Sequence, residues 1–259
     1  MLPFLLAGCL LLPVHQVEEA PSSEEVQRVC AELEGALRGQ DEKLVLRALE
    51  ASHAVDHADV VKRIQKALDD ERGAVRLAAI QALRFQAVPE ALSELNRLAR
   101  DKKRLREPDL GAALLRALGE HADPSSVTLL ARDPFDPPRG DCVKARIYSL
   151  ARIRTRPALE GLLAMVATTA QGNHPRPITP YLDDMRLALV VLTGTDQGKA
   201  PERWEEWWRA NRKGFEVAQE RPELPRELAR QWAEYWGLAL PYERGARRED
   251  RGDEFRAGR

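Results

Sequence analysis

The chain has 259 residues, 44% of them hydrophobic and 31% charged, enough to bury a core and stay in solution. Lys plus Arg number 40 and Asp plus Glu 41, a net charge of -1 that argues against bulk nucleic-acid binding, where a basic excess supplies most of the affinity. Three cysteines are too few for a disulfide scaffold, and their spacing fits no zinc motif.

Residues 1–20 read as a leader. Leu2 to Val14 is an apolar run, too short to span a bilayer and of the length of a secretory signal core. No Lys or Arg precedes it and no small-x-small cleavage site follows. Leu6-Ala7-Gly8-Cys9 resembles a lipoprotein lipobox, which makes Cys9 the lipidation candidate and the one expected route to membrane attachment. A secretory signal, a lipoprotein signal and a cytosolic N-terminal cap all remain open; a periplasmic or secreted location is the expectation. Glu18 to Glu25 read as an acidic linker, and Cys30 and Cys142 as free buried thiols.

Residues 21–193 carry a repeat. In Val75 to Leu83, apolar residues at 75, 78, 79, 82 and 83 trace one helical face, and Ala78, Ala79 and Ala82 permit close approach of a neighbour. Asp69 and Asp70 stand where a turn leads into that helix. The block recurs from Leu110, Val143 and Met185, and an upstream copy ends at Leu49. Matched positions Ala48, Ala82, Ala117, Leu150 and Leu192 follow at 34, 35, 33 and 42 residues. A turn and a second apolar helix follow the copies at 75, 110 and 143, with Gly119 read as a stop, Asp123-Pro124 as a cap and first helical residue, and Pro157 as another start. One helix pair cannot bury both faces, so the pairs must stack. Pro-rich loops at 133–140 and 171–180 interrupt the array.

Asp-x-x-x-x-Val-Arg-x-Ala-Ala-x-x-Ala-Leu at 70–83, with its echoes, resembles HEAT repeats of the bacterial, phycobilisome-lyase-related kind, over about residues 39–193. The resemblance implies an all-α, right-handed superhelix of about five helix pairs, with armadillo-like helical packing.

Residues 194–240 differ. Gly194 is placed as a helix C-cap, and a new helix then carries Trp204, Trp207 and Trp208 on one face. A further helix, about Leu224 to Leu238, carries Leu228, Trp232, Tyr235 and Trp236 at the same spacing. Leu-Thr-Gly followed by Trp-x-x-Trp-Trp resembles a terminal module of HEAT-repeat proteins of bacteria such as planctomycetes. These aromatics are expected to cap the open end of the array; an exposed platform for sugar or peptide is the other reading. The tail, 241–259, is charged and expected to be disordered.

No phosphate-binding Gly loop, nucleophile elbow or Cys/His frame occurs, and no enzymatic activity or cofactor is expected. His53 and His57 are four apart, a spacing that suits a metal on one helix, but they straddle an expected turn and read better as turn histidines. The basic run Arg100 to Arg106 reads as a solvated connector, with a phosphate patch as the alternative. Arg146, Arg152, Arg154 and Arg156 are candidates to read an acidic partner, and Trp204, Trp207 and Trp208 to anchor one. Asp183-Asp184 reads as a helix-start pair. The expected function is a monomeric scaffold that binds a protein or peptide along the second helices. Carbohydrate or cell-wall binding through the Trp segment, and a lyase-like or DNA-binding array, are the alternatives.

Overall fold

The structure is a computed structural model that describes residues 20–170 and 179–239. Cys9, the leader, most of the loop at 171–180 and the charged tail lie outside the described residues.

The described residues form an all-α solenoid with no strand. In chain order the helices are α1 (Ser23–Arg38), α2 (Glu42–Ser52), α3 (Ala58–Ala67), α4 (Gly73–Phe85), α5 (Pro89–Ala99), α6 (Lys102–Arg106), α7 (Leu110–His121), α8 (Val127–Ala131), α9 (Gly140–Arg152), α10 (Arg156–Ala170), α11 (Leu182–Thr193), α12 (Pro201–Asn211) and α13 (Arg226–Trp236). None is long and apolar enough to cross a membrane. The expected linker is shorter than its sequence suggests. Ser22 caps α1 by accepting the Glu25 N–H at 3.2 Å, so Glu24 and Glu25 belong to a helix whose N-terminal dipole favours them.

Two rows run through the fold. The repeat blocks make a first row in which α2, α4, α7, α9 and α11 pack in sequence. The second helices make the other, in which α1, α3 and α5 pack in sequence, as do α8, α10 and α12. Between α5 and α8 the second row parts, and α6 intervenes against α5 and α7. The apolar stripe of α4 buries Val75, Ala79, Ala82 and Leu83, and that of α7 buries Leu110, Ala113, Leu114, Ala117 and Leu118. Both stripes point into one continuous core between the rows.

Gly119 is not a stop. Helix α7 runs on to His121 and ends at Ala122, which adopts the left-handed conformation with φ 50°. Gly119 is buried inside the helix because α9 passes against it: a Cβ there would overlap the Ser149 side chain. Gly111, about two turns earlier in α7, does the same against α6, where a methyl would overlap the Leu105 carbonyl. Gly194, by contrast, is the expected C-cap, with φ 71° and its N–H donating to Val190 O at 2.9 Å. Asp123 accepts the Ser125 N–H at 2.8 Å and opens a 3-10 turn, Pro124–Ser126, that leads into α8.

Buried polar groups tie turns across units. Gln86, fully buried, donates to Ser52 O and Val55 O and accepts the His57 N–H. Asp70 holds the turn before α4: both its carboxylate oxygens take the Arg72 guanidinium at 2.8 Å, and the Arg72 N–H joins them. Those hydrogen bonds, chiefly the side-chain pair, pull the Asp70 carboxyl down from 3.8 to about 2.

Two outcomes are expected. Gly111→Ala should destabilise the chain by about 1–3 kcal/mol in urea unfolding, because backbone rather than a mobile side chain stands in the way of the methyl. A depressed carboxylate stabilises above its ordinary value, and that contribution is lost as the pH falls through the folded value. Asp70→Asn should therefore lower the urea midpoint at pH 7, with the difference from the unaltered chain shrinking between about pH 4 and pH 2.

Candidate functional site

The last helix does not cap an end. Helix α12 performs that task, packing on α10 with Trp204 buried and its indole N–H donating to Gly198 O at 2.8 Å. After α12 the chain turns back. Arg154 pins the returning segment by donating to Ala218 O at 2.6 Å and to Val191 O at 2.9 Å. Helix α13 then lies against the outer face of the first row.

Three side-chain clusters hold α13 there. Tyr235 stacks on Tyr148 of α9, ring centroids 3.8 Å apart. Beneath them a buried polar network closes: Tyr148 donates to Asp184 of α11 at 2.9 Å, and Gln231 of α13 donates to both at 2.9 and 3.1 Å. Burial, with the Asp184 carboxylate beside it, pushes the Tyr148 phenol well above its ordinary value, so it stays a proton donor. Beyond this, Trp236 sits over three guanidinium groups, Arg84, Arg116 and Arg152, at 5.9, 5.6 and 4.6 Å from its ring centroid. Glu120 takes Arg84 at 2.5 Å and Arg152 at 2.6 Å, so one carboxylate serves two of the three cations. Arg116 donates instead to Tyr235 O at 2.5 Å. Burial pulls Arg116 and Arg152 below the ordinary arginine value, which marks the cost of gathering them under a ring.

Through these contacts α13 reaches α4, α7, α9 and α11 of the first row. Two cavities among the described residues border the second row. One, about 270 Å3, fills the parting between α5, α6 and α8. The other, about 410 Å3, is a groove between α10 and α12 whose walls include Trp208, Leu163, Glu160 and Glu205.

The four arginines that are candidates to read an acidic partner are not brought together as one patch. Arg146 is 3% exposed and donates to the carbonyls of Leu129, Leu130, Arg132 and Asp136 at 2.9–3.3 Å. Arg152 belongs to the Trp236 cluster, and Arg154 is the pin of the returning segment. Arg156 is exposed, pairs with Glu160 at 3.0 Å, and lies 5.1 Å over the Trp208 ring, where it borders the groove. Of the tryptophans, Trp204 is core and forms part of the groove floor, Trp207 is half-buried against Phe215, and Trp208 is half-buried and lines the groove. His53 and His57 lie in the turn between α2 and α3 and not on one helix. His57 Nδ1 caps α3 by accepting the Asp59 N–H at 3.1 Å, and His53 packs on Phe85. Among the described residues no three of His, Cys, Asp or Glu gather as a metal site requires. Cys30 and Cys142 are both free and buried, and burial pushes the Cys142 thiol up to about 11.

Two buried polar residues were not identified from the sequence, one of them despite a signal. Arg146 occupies the position that Ala78, Ala113 and Ala188 hold in the other copies, on the apolar face, which already implies burial. Asp184 had no such signal, since the matching position is buried at Cys142 but exposed at Ala74 and Asp109; Tyr148 and Gln231 close over it only in the folded chain.

No family model matches the chain, and no match to it was found among curated proteins.

Trp236→Ala should free α13 without unfolding the array. Hydrogen exchange is expected to show protection lost in residues 226–236, while α7 and α9 keep theirs.

Proposed function

We propose that this chain is a non-enzymatic scaffold of HEAT-like repeats that binds a protein or peptide partner along its second row of helices. One observation carries the reading: α13 packs on side chains of α4, α7, α9 and α11 in the first row, while the cavities at α5–α8 and α10–α12 border the second row. Extended faces built of stacked helix pairs are the binding surfaces of such arrays. The second row also presents exposed charges of both signs, Lys62, Lys66 and Arg97 among them. The apolar leader supports a place of action outside the cytoplasm, and the protein would work as a right-handed superhelical monomer.

The α10–α12 groove favours a second reading, carbohydrate binding. A half-buried indole flanked by two carboxylates suits a sugar ring, whose faces stack on aromatics and whose hydroxyls donate to carboxylates.

A tagged full-length chain should recover one stoichiometric protein from the envelope fraction of its source organism, identified by mass spectrometry. Recovery should fall when Lys62, Lys66 and Arg97, all exposed on the second row, are reversed in charge together. Turnover of a hydrolase or lyase substrate by the purified chain would overturn the non-enzymatic reading. Quenching of Trp208 fluorescence by peptidoglycan fragments, lost in Trp208→Ala, would move the assignment to the carbohydrate.

A further inference from the structure

The cavity between α5, α6 and α8 has an unusual balance of charge. Its walls carry five cations, Arg100, Lys102, Arg106, Arg132 and Arg146, against two carboxylates, Asp133 and Asp136. The carboxylates do not saturate the cations. Lys102 lies 3.5 Å from Asp133 and 3.7 Å from Asp136, Arg106 lies 3.4 Å from Asp136, and Arg132 lies 3.8 Å from Asp133. These are long, exposed pairs of the kind that contribute little. Arg100 makes no ion pair or side-chain hydrogen bond among the described residues.

Arg146 distinguishes this cavity from an ordinary basic surface. It is 3% exposed and lines the cavity wall. No carboxylate lies within ion-pair distance of its guanidinium among the described residues. Its Nη1 and Nη2 donate only to neutral backbone carbonyls, and its Nε–H, buried as well, has no protein acceptor. A buried cation matched only by carbonyl dipoles is costly, and a counter-charge in the adjoining space offsets that cost. The substitution is local to this unit, since the matching positions of the neighbouring copies are Ala78, Ala113 and Ala188.

The remaining walls narrow the ligand class. The Ser125 and Thr128 hydroxyls line the same cavity as the cations, and Ala99, Leu105 and Leu129 supply a small apolar part. A volume of about 270 Å3 lies just below the range for drug-sized ligands, so the occupant is small. Several guanidinium, ammonium and hydroxyl donors around one small space suit a tetrahedral dianion, which offers at least three acceptor oxygens, better than a single carboxylate.

We propose that the cavity walled by Arg100, Lys102, Arg106, Arg132 and the buried Arg146 is a binding site for a phosphate or phosphate-monoester dianion. The site rests on its own charge and geometry and not on the scaffold reading. Asp133 and Asp136 hold the exposed cations in place when the site is empty and compete with the anion for them.

The test is titration calorimetry of the full-length chain with inorganic phosphate, at ionic strength matched with chloride. Saturable one-to-one binding is expected. Arg100→Ser with Arg106→Ser, both exposed positions, should weaken it about 10-fold or more while leaving the helical circular dichroism unchanged. Asp133→Asn should change it in the opposite direction, tightening it several-fold, a result that a merely structural role for these residues would not produce. A phosphoserine peptide binding more tightly than inorganic phosphate would show that the monoester arrives on a polypeptide, and equal binding that it arrives as a free anion; both support the site. No heat beyond that of the chloride control, or affinity unchanged in both variants, would overturn it.

Discussion

The close approach of α7 to its neighbours is the constraint on which the remaining architecture depends. Gly119 leaves no room for a Cβ against Ser149 of α9, and Gly111 leaves none against the Leu105 carbonyl of α6. Backbones held that near fix the spacing of the first row at its centre, and interiors packed to crystal-like density transmit the spacing outward. Two consequences follow. Arg84 and Arg152, at matching positions of α4 and α9, both reach Glu120 of the helix between them. Helix α6 is pulled onto α7 and so opens the second row between α5 and α8.

Helix α13 converts an unfavourable surface into a stable one. Three guanidinium groups around one carboxylate repel each other, and their partial burial raises that cost. The Trp236 ring lies over all three, and the Tyr235 carbonyl satisfies Arg116. The Gln231 amide completes the Tyr148–Asp184 pair at the middle of the helix. The same chemistry, cations with too few carboxylates, recurs at the cavity between α5 and α8, where no segment of the described chain covers it. The first excess is met in cis by an aromatic helix. The second points outward to an anionic ligand.

How well each element could be read depends on how local its cause is. The stripes of α4 and α7, the Gly194 cap and the Asp123-Pro124 start follow from spacing within a dozen residues, and the structure has them where they were expected. Gly119 was misread because a glycine near a helix end has two uses, and the choice between stop and close contact rests with Ser149, thirty residues away. Arg146 was misread as an exposed edge because its charge outweighed its register; the alignment of the copies was the better guide. The carbonyls of 129–136 that accept its N–H groups converge only once α8 and the following loop have packed on α9.

By itself the sequence determined that the described fold is a stack of helix pairs, because a period of 3.6 in apolar residues and a step of about 34 residues allow no other way to bury every stripe. It also set the aromatic character of the last segment. Which face that segment covers was decided in three dimensions. Tyr148, Asp184, Arg84, Arg116 and Arg152 are scattered over about a hundred residues and become one surface only when the first row is assembled. The cavity between α5 and α8 has the same origin. Its charges come from separate short segments, and their shared excess exists only where the packing of α6 on α7 leaves the second row apart.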